Sequence, residues 1–334
     1  MMKTRIREID IMKGLLVLAM ILCHCIQFFG EESTGLQKYL ADFINLTTFS
    51  GFLFCFGYVC ELTYYQKSFR KAAVKMGKNA VRMLFAFYIS GIAYIAFAQR
   101  KSFSFDRICR VLLLWEYPGW SEFLASFAAV LIAGIVLYPL MKRMNGKILV
   151  GITVLSLAGC FLPYEQIHNP YLALLAGSED YITFPVLQYG MFFAAGVWFC
   201  KKKVSWDRKT LAAAVMAGIS FGIYYSIAGC LPGRFPPGIL FICGGIAGVY
   251  LYRLLSLALK TAAQKNRIAD RAISEIENIG RSSLFYLLMS NLLIFALAGS
   301  KFKYPSRNFA YAYDLIILFV LYYFRGLVKQ KDKK

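Results

Sequence analysis

Apolar residues in this chain fall in long unbroken runs, not in the three-and-four spacing of a helix with one wet face. Ten such runs lie near residues 11–29, 42–64, 80–98, 122–141, 147–163, 183–200, 209–230, 237–259, 282–299 and 309–328. A stretch of about 20 mostly apolar residues is what an α-helix needs to cross a bilayer core. The pattern therefore predicts an all-α polytopic membrane bundle of about ten transmembrane helices, with residues 1–334 forming one transmembrane domain. Two polar stretches depart from it. "FDRICRVLLLWEYPGWSEF" reads as an interfacial helix with an aromatic belt. "KTAAQKNRIADRAISEIENIGRSS" reads as a helix on the cytoplasmic side, with mixed charge on its wet face and its end at Gly280.

Composition agrees with the pattern, since 59% of the residues are hydrophobic, against about 45–50% in soluble domains. No room remains for a separate soluble domain. The net charge of +20 raises nucleic acid as a partner, but its placement argues against one. With the amino terminus in the cytoplasm, 29 of the 38 Lys and Arg residues fall in inner segments, including Lys3, Arg5, Arg7, Lys13 and the cluster from Lys67 to Arg82. This is the asymmetry of the positive-inside rule, and an even number of spans puts both termini in the cytoplasm. The loop at 162–182 fits, with Glu165, Glu179 and Asp180 and no Lys or Arg; the loop at 99–119, with Arg100, Lys101, Arg107 and Arg110, fits less well. The first run follows a basic start, as a signal peptide would, but no small-residue cleavage site follows it, so it reads as a retained span.

The nine cysteines are scattered, with no C-x-x-C pair, and read as small buried hydrophobes. Cys23-His24-Cys25 suggests a metal site only until helical geometry is applied. Neighbours on a helix diverge by about 100°, so the two thiols cannot close on one ion with the imidazole. No metal site is expected.

The first run carries the chemistry. Lys13 and His24 are eleven residues apart, which on a helix is three turns plus about 20°, with a rise of roughly 16 Å. Asp10 falls on the same stripe, nearer the cytoplasmic end. Ionisable groups within a membrane are rare and mark function by default. The alternative is that His24 is an interhelical hydrogen-bonder and Lys13 snorkels to the surface.

"REIDIMKGLLVLAMILCHC" resembles the opening of the acyltransferase family 3 membrane proteins, marked by an acidic residue, a basic residue followed by glycine, and a histidine eleven positions after the basic one. Here these are Asp10, Lys13, Gly14 and His24. "FLFCFGYV", "KNAVRMLFAFYI", "WSEFLASFAAVLIAGIVLYPLMKR", "FPVLQYGMFFAAGVWFCKK", "FPPGILF" and "IGRSSLFYLL" resemble later landmarks in the same order, so the resemblance covers nearly the whole chain. The chain departs from the pattern at Asn79, where many members have an arginine, around Cys55, where a serine is missing, and at Ser290 and Asn291, near a position that is often histidine.

The resemblance implies transfer of an acyl group, commonly acetyl, from cytoplasmic acyl-CoA as co-substrate to a hydroxyl of an extracytoplasmic glycan or small molecule, in the cell membrane and without a permanently bound cofactor. His24 then suits a general base, because imidazole titrates near neutral pH. Asp10 would order Lys13 or the helix start within the catalytic stripe. Lys13 and Arg82, followed by Lys78 and Arg281, would meet the donor's phosphates, although positive-inside topology also accounts for cytoplasmic basic residues. At the outer face Trp115, Glu116 and Trp120, with Tyr117 and Glu122, could stack and hydrogen-bond a sugar or could form an aromatic belt. Asp314 is a carboxylate in the last span with no evident partner, and His168 reads as solvated. A multi-span solute or lipid-linked glycan transporter is the rival function. Such proteins tend to carry internal repeats with broken helices, and none is visible here. The acceptor, the acyl group and homo-oligomerisation are left open by the sequence.

Overall fold

The computed structural model describes residues 6–30, 35–99, 104–204, 207–300 and 307–331. Lys3, Arg5, Arg100, Lys101 and the tail beyond Lys331 lie outside the described residues. The described residues form helices α1 (Arg7–Phe29), α2 (Gly35–Cys60), α3 (Phe69–Ala93), α4 (Phe105–Leu112), α5 (Glu122–Val136), α6 (Tyr138–Lys142) and α7 (Gly146–Ala158). They continue with α8 (Pro170–Ala176), α9 (Val186–Lys202), α10 (Arg208–Ala228), α11 (Ile239–Lys265), α12 (Arg267–Arg281), α13 (Ser283–Gly299) and α14 (Arg307–Lys331). π-helical turns extend α2 through Tyr65 and α3 through Ala98.

Six of these helices are long and apolar enough to cross a membrane: α1, α2 and α3 with their extensions, α10, α11 and the Phe309–Gly326 part of α14. A seventh arises if α12 and α13, bent by 81° at their junction, count as one span. The chain is therefore an all-helical membrane protein. The remaining runs among the ten expected are apolar but form shorter helices, because breaks divide them. α5 has 15 residues and stops at Leu137, just before the Pro139 of α6. α7 has 13 residues, starts at the Asn145 cap and passes into a 3-10 turn at Gly159. α9 has 17 residues between Pro185 and a left-handed Lys203.

α1 runs through the middle of the bundle and packs against α2, α11, α12, α13 and α14. Small residues permit its closest approach. A Cβ on Gly14 would collide with the carbonyl oxygen of Ile276 in α12, and one on Gly280 would collide with that of Asp10 in α1. Backbone-to-backbone contact of this kind is how helices associate where lipid removes the hydrophobic drive. Gly280 therefore does not end its helix, as the sequence suggests; α12 continues to Arg281, and the bend falls at Ser282. The same device joins α2 to α9, where Gly57 faces the Phe193 carbonyl and Gly196 faces the Phe54 carbonyl.

Candidate active site

On α1, Met20, His24 and Gln27 line one cavity and Lys13 lines another. The His24 chamber has a volume of about 170 Å³ and is lined by Asn45, Thr48, Phe49 and Phe52 of α2, by Trp120, Glu122 and Phe123, by Phe184, and by Arg234 and Phe235. The Lys13 chamber has a volume of about 190 Å³ and is walled by Phe52, Cys55, Phe56 and Val59 of α2, by Met83, by Leu124 and Phe127 of α5, and by Ser283, Leu284 and Leu287 of α13. Phe52 belongs to both linings. The two spaces are thus neighbours along α1 and share Phe52 as a wall residue.

At the Lys13 end the charges are tied to one another. Lys13 Nζ lies 2.6 Å from Asp10 Oδ1, and Arg281 Nε lies 3.7 Å from Asp10 Oδ2. Arg281 also pairs with Glu277, while Arg7 bridges Asp270 at 2.5 Å and Glu277 at 3.1 Å. The network follows from the glycine contact of α1 with α12, which brings the acidic face of α12 against the basic start of α1. Asp10 therefore sits where it orders Lys13 and lies outside both chambers. Arg82 and Lys78 lie exposed on α3. Arg82 donates to Asn79 Oδ1 at 3.4 Å, and only its neighbour Met83 reaches the Lys13 chamber.

At the other end His24 is buried, and its ring makes one hydrogen bond among the described residues, between Nδ1 and Asn291 Oδ1 at 3.0 Å. Trp120 lines the chamber and donates from Nε1 to Gln27 Oε1 at 3.0 Å. Its backbone has φ +58°, in the left-handed region that is uncommon for a bulky residue. Trp115 and Glu116 are placed elsewhere. Trp115 is half exposed and donates to the Tyr171 hydroxyl, and Glu116 receives Arg107 at 2.8 and 2.6 Å. Tyr117 donates to the Pro170 carbonyl at 2.9 Å, and burial pushes its phenol above the usual range. These three brace the loop that presents Trp120. His168 pairs with Asp180 at 2.7 Å on the exposed loop.

Sequence reasoning left Arg234 and Asn45 unnamed and grouped Glu122 with the surface aromatics. All three line the His24 chamber. Arg234 donates to Asn45 Oδ1 at 2.8 Å and lies over the rings of Phe184 and Phe235, while its Nε has no partner among the described residues. Glu122 Oε2 is likewise buried without a partner among the described residues. A signal for two of these residues was present, since Asn45 interrupts an apolar run and Arg234 is a cation in a loop that the charge partition assigns to the outside, where the positive-inside rule does not explain it. No group of three or more His, Cys, Asp or Glu that could hold a metal ion occurs among the described residues.

A buried imidazole with one nitrogen engaged, facing a chamber with unsatisfied donor and acceptor atoms, can accept a proton from a bound hydroxyl. Comparison with known proteins places this geometry in a family. No curated protein and no solved structure matches the chain significantly. The family model for the acyltransferase domain of acyltransferase family 3 matches residues 6–328, which include both chambers and the α1 stripe. The chain therefore belongs to acyltransferase family 3 and is a membrane acyltransferase.

Proposed function

We propose that the protein moves an acetyl group from cytoplasmic acetyl-CoA to a hydroxyl of an extracytoplasmic glycan or small-molecule acceptor, across the cell membrane. The observation that carries this reading is the pair of chambers on one face of α1, one holding Lys13, the other His24, with Phe52 common to both. The donor enters from the Lys13 end, where Lys13 and Arg281, held together by Asp10, offer positive charge to its phosphates. The acceptor enters the other chamber, where Glu122 accepts from a hydroxyl, Arg234 donates to one and Trp120 offers a flat apolar face. His24 takes the proton of the attacking hydroxyl. The acceptor oxygen bonds to the thioester carbonyl carbon, the carbon–sulfur bond breaks, and the departing thiolate receives the proton from His24.

Transfer of radiolabelled acetyl from acetyl-CoA to cell-surface glycans, compared between the native protein and a His24→Gln variant, tests the reading. Loss of labelling with intact CoA binding supports it, and retained labelling overturns it. Orientation is tested separately by reporter fusions. Both termini should report cytoplasmic and the 164–181 loop external, as the charge partition requires; a cytoplasmic signal from that loop would reverse the entry of donor and acceptor.

A further inference from the structure

The hydrogen bonds around Asn291 settle a question of chemistry at His24 that the family match does not address: which ring nitrogen carries the hydrogen. Asn291 is buried at the midpoint of α13 and makes three contacts. One of its side-chain atoms lies 2.9 Å from the Trp120 carbonyl oxygen and 3.2 Å from Ser90 Oγ, and the other lies 3.0 Å from His24 Nδ1. A carbonyl oxygen only accepts, so the atom facing Trp120 is the amide NH2. The atom facing His24 is then the amide oxygen, which has no hydrogen to give. Nδ1 must supply it.

We propose that Asn291 is a positioning residue that holds His24 as the Nδ1–H tautomer and so leaves the lone pair on Nε2, the nitrogen free to take the acceptor's proton. This rests on the reading of His24 as the base. Neutral histidine in water favours the opposite, Nε2–H form, which would present a hydrogen where a base needs a lone pair. The arrangement that overrides this preference is fixed from behind. The Trp120 carbonyl is aimed by a left-handed backbone and by the bond of its ring to Gln27. Ser90 Oγ, the second acceptor of the amide, is itself bonded to Ser121 Oγ at 2.7 Å. Ser90, Ser121 and Asn291 are all buried, so no water substitutes for a lost partner, and reversing the amide would oppose two acceptors across 2.9 Å.

The chain has two histidines, His24 and His168, so nitrogen NMR of protein labelled at histidine reads the tautomer directly. A His168→Gln background leaves His24 as the single signal; His168 is exposed and belongs to neither lining. The expected spectrum has a protonated Nδ1 and a bare Nε2. Asn291→Leu should shift the signal to the Nε2–H form or a mixture, and lower kcat by on the order of 100-fold with an unchanged donor KM. Asn291→Asp keeps an acceptor for Nδ1–H, and should keep the tautomer and more activity than the leucine variant. An Nε2–H signal in the His168→Gln protein itself would overturn the proposal, whether or not the Asn291 variants fold. So would an Asn291→Leu protein with an unaltered spectrum and kcat. Failure of the base reading would look different, as activity persisting in His24→Gln.

Discussion

The two chambers on α1 hold their polar atoms in opposite ways. Beside the Lys13 chamber Asp10, Lys13, Arg281, Glu277, Arg7 and Asp270 satisfy one another in a continuous ion network. In the His24 chamber Glu122 Oε2 and Arg234 Nε are buried without partners among the described residues, and His24 is bonded there through one nitrogen alone. Leaving a buried polar atom unsatisfied costs about 1–3 kcal/mol, and both of these atoms belong to residues that line a cavity where a bound guest could satisfy them. Under the proposed function, the contrast lets one end keep its charges in place while the donor's phosphates come and go, and leaves the other with open valences for a neutral, hydroxyl-bearing acceptor.

The largest break of this contrast should come at His24. His24→Gln preserves a hydrogen bond to Asn291 but removes the base, and transfer should fall about 10²–10⁴-fold while CoA binding persists; turnover measured with labelled donor checks both. Next is Lys13→Ala, which should weaken donor binding by about 1.5–3 kcal/mol, or roughly 10- to 150-fold, through loss of a charged hydrogen bond. Acceptor KM should not move, and a titration with CoA separates the two. Arg234→Gln should do the reverse, raising acceptor KM about tenfold with donor affinity intact, as expected for one lost bond to a guest. A donor-affinity defect in that variant would show that the chambers are not specialised. The smallest effect belongs to Arg82→Ala. Its side chain is exposed and outside both linings, so the change in CoA affinity should stay near 0.5 kcal/mol, about twofold, as for a surface charge in high dielectric.

What could be read from the sequence was whatever lies on one helix. The spacing of Asp10, Lys13 and His24 follows from 100° per residue and needs no tertiary structure. Asn45, Glu122, Arg234 and Asn291 arrive from four different segments and meet only because the bundle folds. Asn291 drew attention only as a departure from the family pattern, and its contact with His24 could not be deduced from spacing. The aromatic segment was legible as a composition, yet composition could not tell that Leu114 and Trp120, both with positive φ, turn Trp120 inward and leave Trp115 at the surface. Hydropathy located apolar runs but counted residues rather than continuous helix, so breaks at Leu137, Gly159 and Ser282 were invisible to it.

Phe52 has an electrical consequence. In a membrane-embedded bundle a charge passing from one lining to the other crosses part of the transmembrane field, and Phe52 belongs to both linings. Each elementary charge carried across the whole membrane costs or yields about 2.3 kcal/mol per 100 mV. In the acetyl transfer proposed above, CoA's phosphates stay on the Lys13 side, the acyl group goes one way, and the acceptor's hydrogen returns the other way on the thiol. Those movements cancel in charge. An energised membrane would then neither drive nor brake the reaction, and turnover in vesicles should be the same with and without an imposed voltage.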